Sequence, residues 1–148
     1  MIRSSLIVLA VVIVGATAHA DDPMTREAVV EAARDGIEFV GNAYVQERKT
    51  DNPDLILIDV RTQGEYELGH IPDAIWIPRG KAEFEIAETV RDANAEIIIY
   101  CKTGSRAALV KKALDAQGYR NVNAHEGFET WAQAGRPLEN GLTPNATA

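Results

Sequence analysis

Apolar residues along this chain come in two rhythms: short unbroken runs, and stripes that recur every three or four positions. The clearest runs are Leu55, Ile56, Leu57 and Ile58 ahead of Asp59, and Ile97, Ile98 and Ile99 between Glu96 and Tyr100. Consecutive apolar positions of this kind predict strands covered on both faces, as in a parallel sheet. Shorter strands are predicted over 37–40, 74–77 and 121–124, the second of them stopped by Pro78. The stripes predict helices over 25–34, from a cap at Asn42 to about Lys49, and over 62–67 with Thr62 as cap. Further helices are predicted over 81–93 through Ala82, Ile86 and Val90, over 107–117 through Ala107, Val110 and Leu114, and over 128–134. Gly36, Gly118 and Gly135 stand where three of these helices end. Strand and helix alternate, so the predicted class is α/β with a mainly parallel sheet flanked by helices on both faces.

The first twenty residues follow another rule. Arg3 is a positive start, residues 6–14 an apolar core, and Ala18, His19 and Ala20 a small-residue cleavage site, which together read as a secretory signal peptide over 1–20. The core is too short to span a bilayer, and no membrane partner is expected after cleavage. The expected location is therefore outside the cytoplasm, in the bacterial periplasm. The remaining chain suits one domain: a helical extension over 21–36, the α/β domain over 37–138 and a flexible tail over 139–148.

The whole chain carries 15 basic and 22 acidic residues, a net charge of −7, and −8 without the signal segment. Such a surface is a poor partner for nucleic acid or anionic lipid. A single cysteine, Cys101, cannot form an internal disulfide, and a lone thiol in an exported protein points to reactivity or intermolecular pairing.

That cysteine sits between the strand ending at Tyr100 and the helix beginning near Ala107, in the loop Cys101, Lys102, Thr103, Gly104, Ser105, Arg106. A strand running into a helix through small and basic residues gathers backbone N–H groups and the positive end of a helix dipole. Thiolate, the nucleophilic form, gains from such donors and from the cations Lys102 and Arg106. Gly104 allows a positive φ in the turn, and Ser105 is the expected cap of the helix. A buried structural cysteine would need none of these neighbours.

Ligands in such sheets bind at the carboxyl ends of the strands. Asp59 with Arg61, Cys101, and His125 each follow a strand, which places them along one edge. Asp59 and Arg61 read as an ion pair near the base of the loop, with Arg61 also a candidate for substrate contact. His125 reads as a supporting residue, and His70 as a hydrogen-bonded turn residue. Neither a metal-ligand cluster nor a Gly-rich nucleotide fingerprint is apparent, so no cofactor is expected.

Asp59-Val60-Arg61, Glu65-Tyr66, the run Gly69 to Ala74, the Cys101 to Arg106 loop, and Glu126-Gly127-Phe128 with Trp131 together resemble a single-domain rhodanese, a thiosulfate sulfurtransferase-like protein. The likeness spans roughly residues 37–137. It implies a five-stranded parallel sheet and a loop cysteine that carries a persulfide. By that resemblance Cys101 takes a sulfur from thiosulfate or a related anionic donor and passes it to cyanide or a thiol. Backbone N–H groups of residues 102–106 would hold the sulfur, Lys102 and Arg106 would attract the donor, and Thr103 and Ser105 would be candidate hydroxyl donors. Phosphatases and arsenate reductases of similar fold have five residues between Cys and Arg, whereas four separate Cys101 from Arg106. The reading of a different class is a sulfur-carrier or docking module served by a protein donor or acceptor. An accessible thiol outside the cytoplasm would also be open to oxidation.

Overall fold

The computed structural model describes residues 22–141, so the signal segment expected over 1–20 lies outside the described residues, as do residues 142–148. In chain order the elements are α1 (Arg26–Arg34), β1 (Phe39–Val40), α2 (Asn42–Asp51), β2 (Ile56–Asp59), α3 (Gln63–Leu68), β3 (Ile75–Trp76), α4 (Ala82–Thr89), β4 (Ile97–Tyr100), α5 (Ser105–Gln117), β5 (Val122–His125) and α6 (Phe128–Gln133). The strands form one five-stranded sheet in the order β1-β5-β4-β2-β3, and every pairing is parallel.

β4 lies in the middle of that order, and all four of its residues are buried. Side chains alternate across a strand, so its unbroken apolar run is divided between two cores. Ile97, Ile99 and then Cys101 pack with Ile86 of α4 and with Ala107, Val110 and Leu114 of α5. Ile98 and Tyr100 face the other way, toward Val45 of α2, Tyr66 of α3 and Trp131 of α6. The cysteine thus continues the alternation of β4 onto the α5 face.

Several boundaries differ from the sequence reading for local reasons. The helix expected over 81–93 stops at Thr89, because the Asp92 side chain accepts from the Asn94 N–H and turns the chain. The Tyr119 hydroxyl donates to the Val90 carbonyl at 2.6 Å, which fixes that helix end. Asn42 is the first residue of α2 rather than its cap, and its side chain is used elsewhere. Ser105 opens α5 while Gly104, at φ +90°, occupies the cap position without a side-chain bond. Thr62 caps α3 in a reciprocal box with Glu65. The tail was expected from Glu139, yet Glu139 exchanges two backbone hydrogen bonds with His70, at 2.8 and 3.0 Å.

Asn52 and Arg48 of the α2 end both bind Glu96, just ahead of β4. Arg48 does so in a two-point pair at 2.8 and 2.9 Å. That pairing holds the Glu96 carboxyl below its ordinary range, the Arg48 hydrogen bond outweighing burial. It pins one helix to the strand that ends at the cysteine.

The two-sided role of β4 makes a quantitative expectation. Ile98→Ala removes a fully buried side chain from the centre of the second core. It should cost about 2–5 kcal/mol, read as a lower urea midpoint with an unchanged m-value. A loss under about 1 kcal/mol would mean that this face is not close-packed.

Candidate functional site

The loop after β4 is built from its carbonyls outward. The Phe128 N–H donates to the Cys101 carbonyl at 2.7 Å and the Glu129 N–H to the Lys102 carbonyl at 3.1 Å, so the first turn of α6 holds two successive peptides. A trans peptide points its N–H opposite to its C=O. The Lys102 and Thr103 N–H groups of these peptides therefore point away from α6, and in the next peptide the Gly104 N–H donates to the Cys101 sulfur at 3.2 Å. Gly104 cannot be replaced freely: at φ +90°, a Cβ there would lie 2.9 Å from Phe39 and from Arg34 Nη1. Gly127 is stricter still, since its Cβ would fall 2.4 Å from the Lys102 carbonyl oxygen.

His125 supports that contact from behind. It is fully buried, and its Nδ1 accepts from the Gly127 N–H at 3.1 Å. Nε2 therefore carries the proton and donates to Asn42 Oδ1 at 2.8 Å, while Asn42 Nδ2 donates to the Thr130 carbonyl at 3.0 Å. Burial pushes the His125 imidazole down to about 4, so it stays neutral near pH 7 and acts as a fixed strut. No hydrogen bond links it to Cys101.

Asp59 and Arg61, both buried, form a multiple ion pair with contacts from 2.7 to 3.0 Å. The Arg61 guanidinium also donates to the Gly69 carbonyl at 2.6 Å and lies 3.9 Å over the Phe128 ring. It thus joins β2, the end of α3 and the start of α6. The Tyr100 hydroxyl accepts from the Ile71 N–H at 3.1 Å, and burial with the nearby Asp59 charge raises this phenol far above its ordinary range. His70, also buried, stacks on Tyr66 at 3.7 Å and bonds the Tyr66 carbonyl through Nδ1.

The two cations of the loop have separate surroundings. Arg106 is half-buried, pairs with both oxygens of Glu65 at 3.0 and 3.1 Å, and also interacts with the Cys101 sulfur. The Glu65 bond is the main reason that the Arg106 guanidinium is held above its ordinary value. Lys102 is exposed, with Glu129 at 3.4 Å, a surface pairing worth little. Thr103 is exposed and Ser105 half-buried. Cys101 itself is only 1% exposed, which corrects the expectation of an accessible thiol: it packs with the α5 core face, and its sulfur accepts from the Gly104 N–H. Beside the loop is a cleft of about 380 Å³ lined by Arg61, Glu65, Leu68, Lys102, Phe128 and Leu138 among others. A larger cleft, between Lys49, Pro72 and Trp131, contains none of the loop residues.

Sequence reasoning did not assign Glu65, Asn42, Gly127 or Phe128 to the site. For Glu65 a partial signal existed, since its position in the Thr62 box was readable, but the partner that it holds is 41 residues away. The Arg106 hydrogen bond pulls the Glu65 carboxyl down to about 2, against burial. A depressed carboxyl stabilises the fold above its unfolded value, and that contribution disappears as pH falls from about 4.5 toward 2. Glu65→Gln is accordingly expected to lower the melting temperature at pH 7 and to flatten its decline over that acid window. An unchanged slope in thermal melts would separate the pair from acid stability.

Residues 42–134 match the family described as the rhodanese-like domain. A sulfurtransferase of Allochromatium vinosum is 34% identical over 103 residues, 69% of this chain and 94% of the relative. The thiosulfate sulfurtransferase PspE of Escherichia coli is 33% identical over 49% of this chain and 69% of its own length. Among solved structures, the polysulfide-sulfur transferase homodimer of Wolinella succinogenes superposes with a TM-score of 0.65 at 28% identity, covering 82% of this chain and 90% of that one. A five-stranded parallel sheet, a cysteine loop at its carboxyl edge and a family match over most of the described residues lead to one conclusion: the chain belongs to the rhodanese-like domain family.

Proposed function

We propose that this protein is a sulfurtransferase that moves a sulfane sulfur through a persulfide on Cys101. The observation that carries the reading is the loop geometry, in which the Gly104 N–H is aimed at the Cys101 sulfur and the neighbouring carbonyls are bonded away from it. Donors fixed in advance around one sulfur stabilise charge on it without reorganisation. The names of the Allochromatium and Escherichia relatives support the same class of chemistry.

In the first step the Cys101 thiolate attacks the outer sulfur of thiosulfate. A new S–S bond forms, the S–S bond of thiosulfate breaks, and sulfite leaves with the electron pair. In the second step cyanide or a thiolate attacks the outer sulfur of the persulfide, the S–S bond breaks, and the Cys101 thiolate is restored. The cycle is two-step covalent catalysis with no net change at the enzyme. Lys102 supplies an exposed positive charge at the mouth, and Arg106 supplies one beside the sulfur.

A second reading has its own support. Leu68 is 86% exposed and Leu138 47% exposed beside the cleft, while Lys102 and Arg106 both have carboxylate partners. An apolar rim, with the Arg106 charge offset by its two-point pairing to Glu65, suits a protein that delivers or collects the sulfur better than a free dianion. The signal-like segment supports placing this chemistry in the periplasm, and N-terminal sequencing of the exported protein is then expected to begin at Asp21. A mature chain that retains Met1 would overturn that placement.

Intact-mass measurement tests the reaction. Thiosulfate should add one sulfur to the reduced protein, cyanide should remove it as thiocyanate, and Cys101→Ser should gain nothing. A mass gain that cyanide does not remove would indicate sulfinic acid, which has nearly the same mass, and would contradict the persulfide. No adduct on protein with a free thiol would overturn thiosulfate as donor and favour the protein-served carrier.

A further inference from the structure

α1 lies outside the stretch matched to the family, yet it reaches the sulfur loop. Its last residue, Arg34, donates from Nη1 to the Thr103 carbonyl at 2.7 Å. The guanidinium is held in place by the Phe39 ring, 4.1 Å from its centroid. The helix is itself docked on α5, where the Lys112 ammonium donates to the Ala32 carbonyl at 2.9 Å and Ala33 is buried.

The carbonyl that Arg34 holds and the N–H that faces the sulfur belong to one peptide group. Thr103 contributes the C=O and Gly104 the N–H, which donates to Cys101 Sγ at 3.2 Å. The peptide is planar, so fixing its oxygen fixes the direction of its hydrogen. A charged donor on the oxygen also polarises the group and makes its N–H a stronger donor. Arg34 Nη1 would lie 2.9 Å from a Cβ at Gly104, so the guanidinium also closes the outer side of the turn.

We propose that Arg34 is a positioning residue for the Cys101 centre, acting through the Thr103–Gly104 peptide to aim and strengthen the N–H that faces the sulfur. The N-terminal extension is by this inference part of the reactive centre. The inference rests on Cys101 being the reacting sulfur, but its test does not require any particular donor.

The readout is the rate at which iodoacetamide alkylates reduced Cys101 at neutral pH, which follows the nucleophilicity of the sulfur whether or not thiosulfate is turned over. Arg34→Met keeps an apolar stem over Phe39 and removes the donor, while Arg34→Lys restores a charged donor. Thr25→Ala serves as the structural control, since it removes only the N-cap bond of α1, Ala28 N–H to Thr25 Oγ1 at 3.2 Å. Arg34→Met should slow alkylation roughly three- to ten-fold, the worth of one net hydrogen bond. Arg34→Lys should recover most of the rate, and Thr25→Ala should match the wild type although its melting temperature falls. An Arg34→Met rate equal to or above the wild type would overturn the proposal. So would a Thr25→Ala rate as slow as that of Arg34→Met, which would assign the effect to loosening of α1.

Discussion

Three successive carbonyls after β4 are bonded away from the sulfur, and the rest of the site depends on that. Phe128 N–H takes the first, Glu129 N–H the second and Arg34 the third. A free loop of this length would expose carbonyl lone pairs to the sulfur as readily as N–H groups, and a thiolate or persulfide would be repelled. The donors come from α6 and α1, elements far from the loop in sequence. Their reach depends in turn on parallel pairing of β1 with β5 and of β5 with β4. The fold thus converts sheet order into the direction of one N–H bond.

Buried polar groups hold this arrangement from behind. The Asp59–Arg61 pair is costly to bury and more costly to break, because either partner alone would leave an uncompensated charge. Its position between Gly69 and the Phe128 ring makes it a joint between β2, α3 and α6. Neutral His125 does similar work on the other side, accepting from the Gly127 N–H at Nδ1 and donating its Nε2–H to Asn42 Oδ1. At the mouth, Glu65 and Glu129 offset Arg106 and Lys102.

What the sequence made legible was whatever local pattern controls. The apolar runs at 55–58 and 97–99 identified β2 and β4, two of the three inner strands, because burial on both faces leaves an unbroken apolar run; β5, with Asn123 and His125, carries a weaker signal. The Cys101 loop was recognisable because a thiol, small residues and two cations fall within six consecutive positions, with Gly104 where the turn needs positive φ. Asn42 was misread as a cap, since capping preference is a local rule and its two partners are 83 and 88 residues away. Arg34 resembled an ordinary basic residue in the last turn of a helix. Its bond to Thr103 spans 69 residues and leaves no trace in periodicity or spacing.

The most direct measurement is a crystal structure of the reduced protein after thiosulfate treatment. Density for one additional sulfur on Cys101 Sγ, within hydrogen-bond distance of the Gly104 N–H and its neighbours in the loop, is the predicted result. An additional sulfur turned away from those N–H groups, or bound anywhere but Cys101, would contradict a persulfide held by the loop backbone.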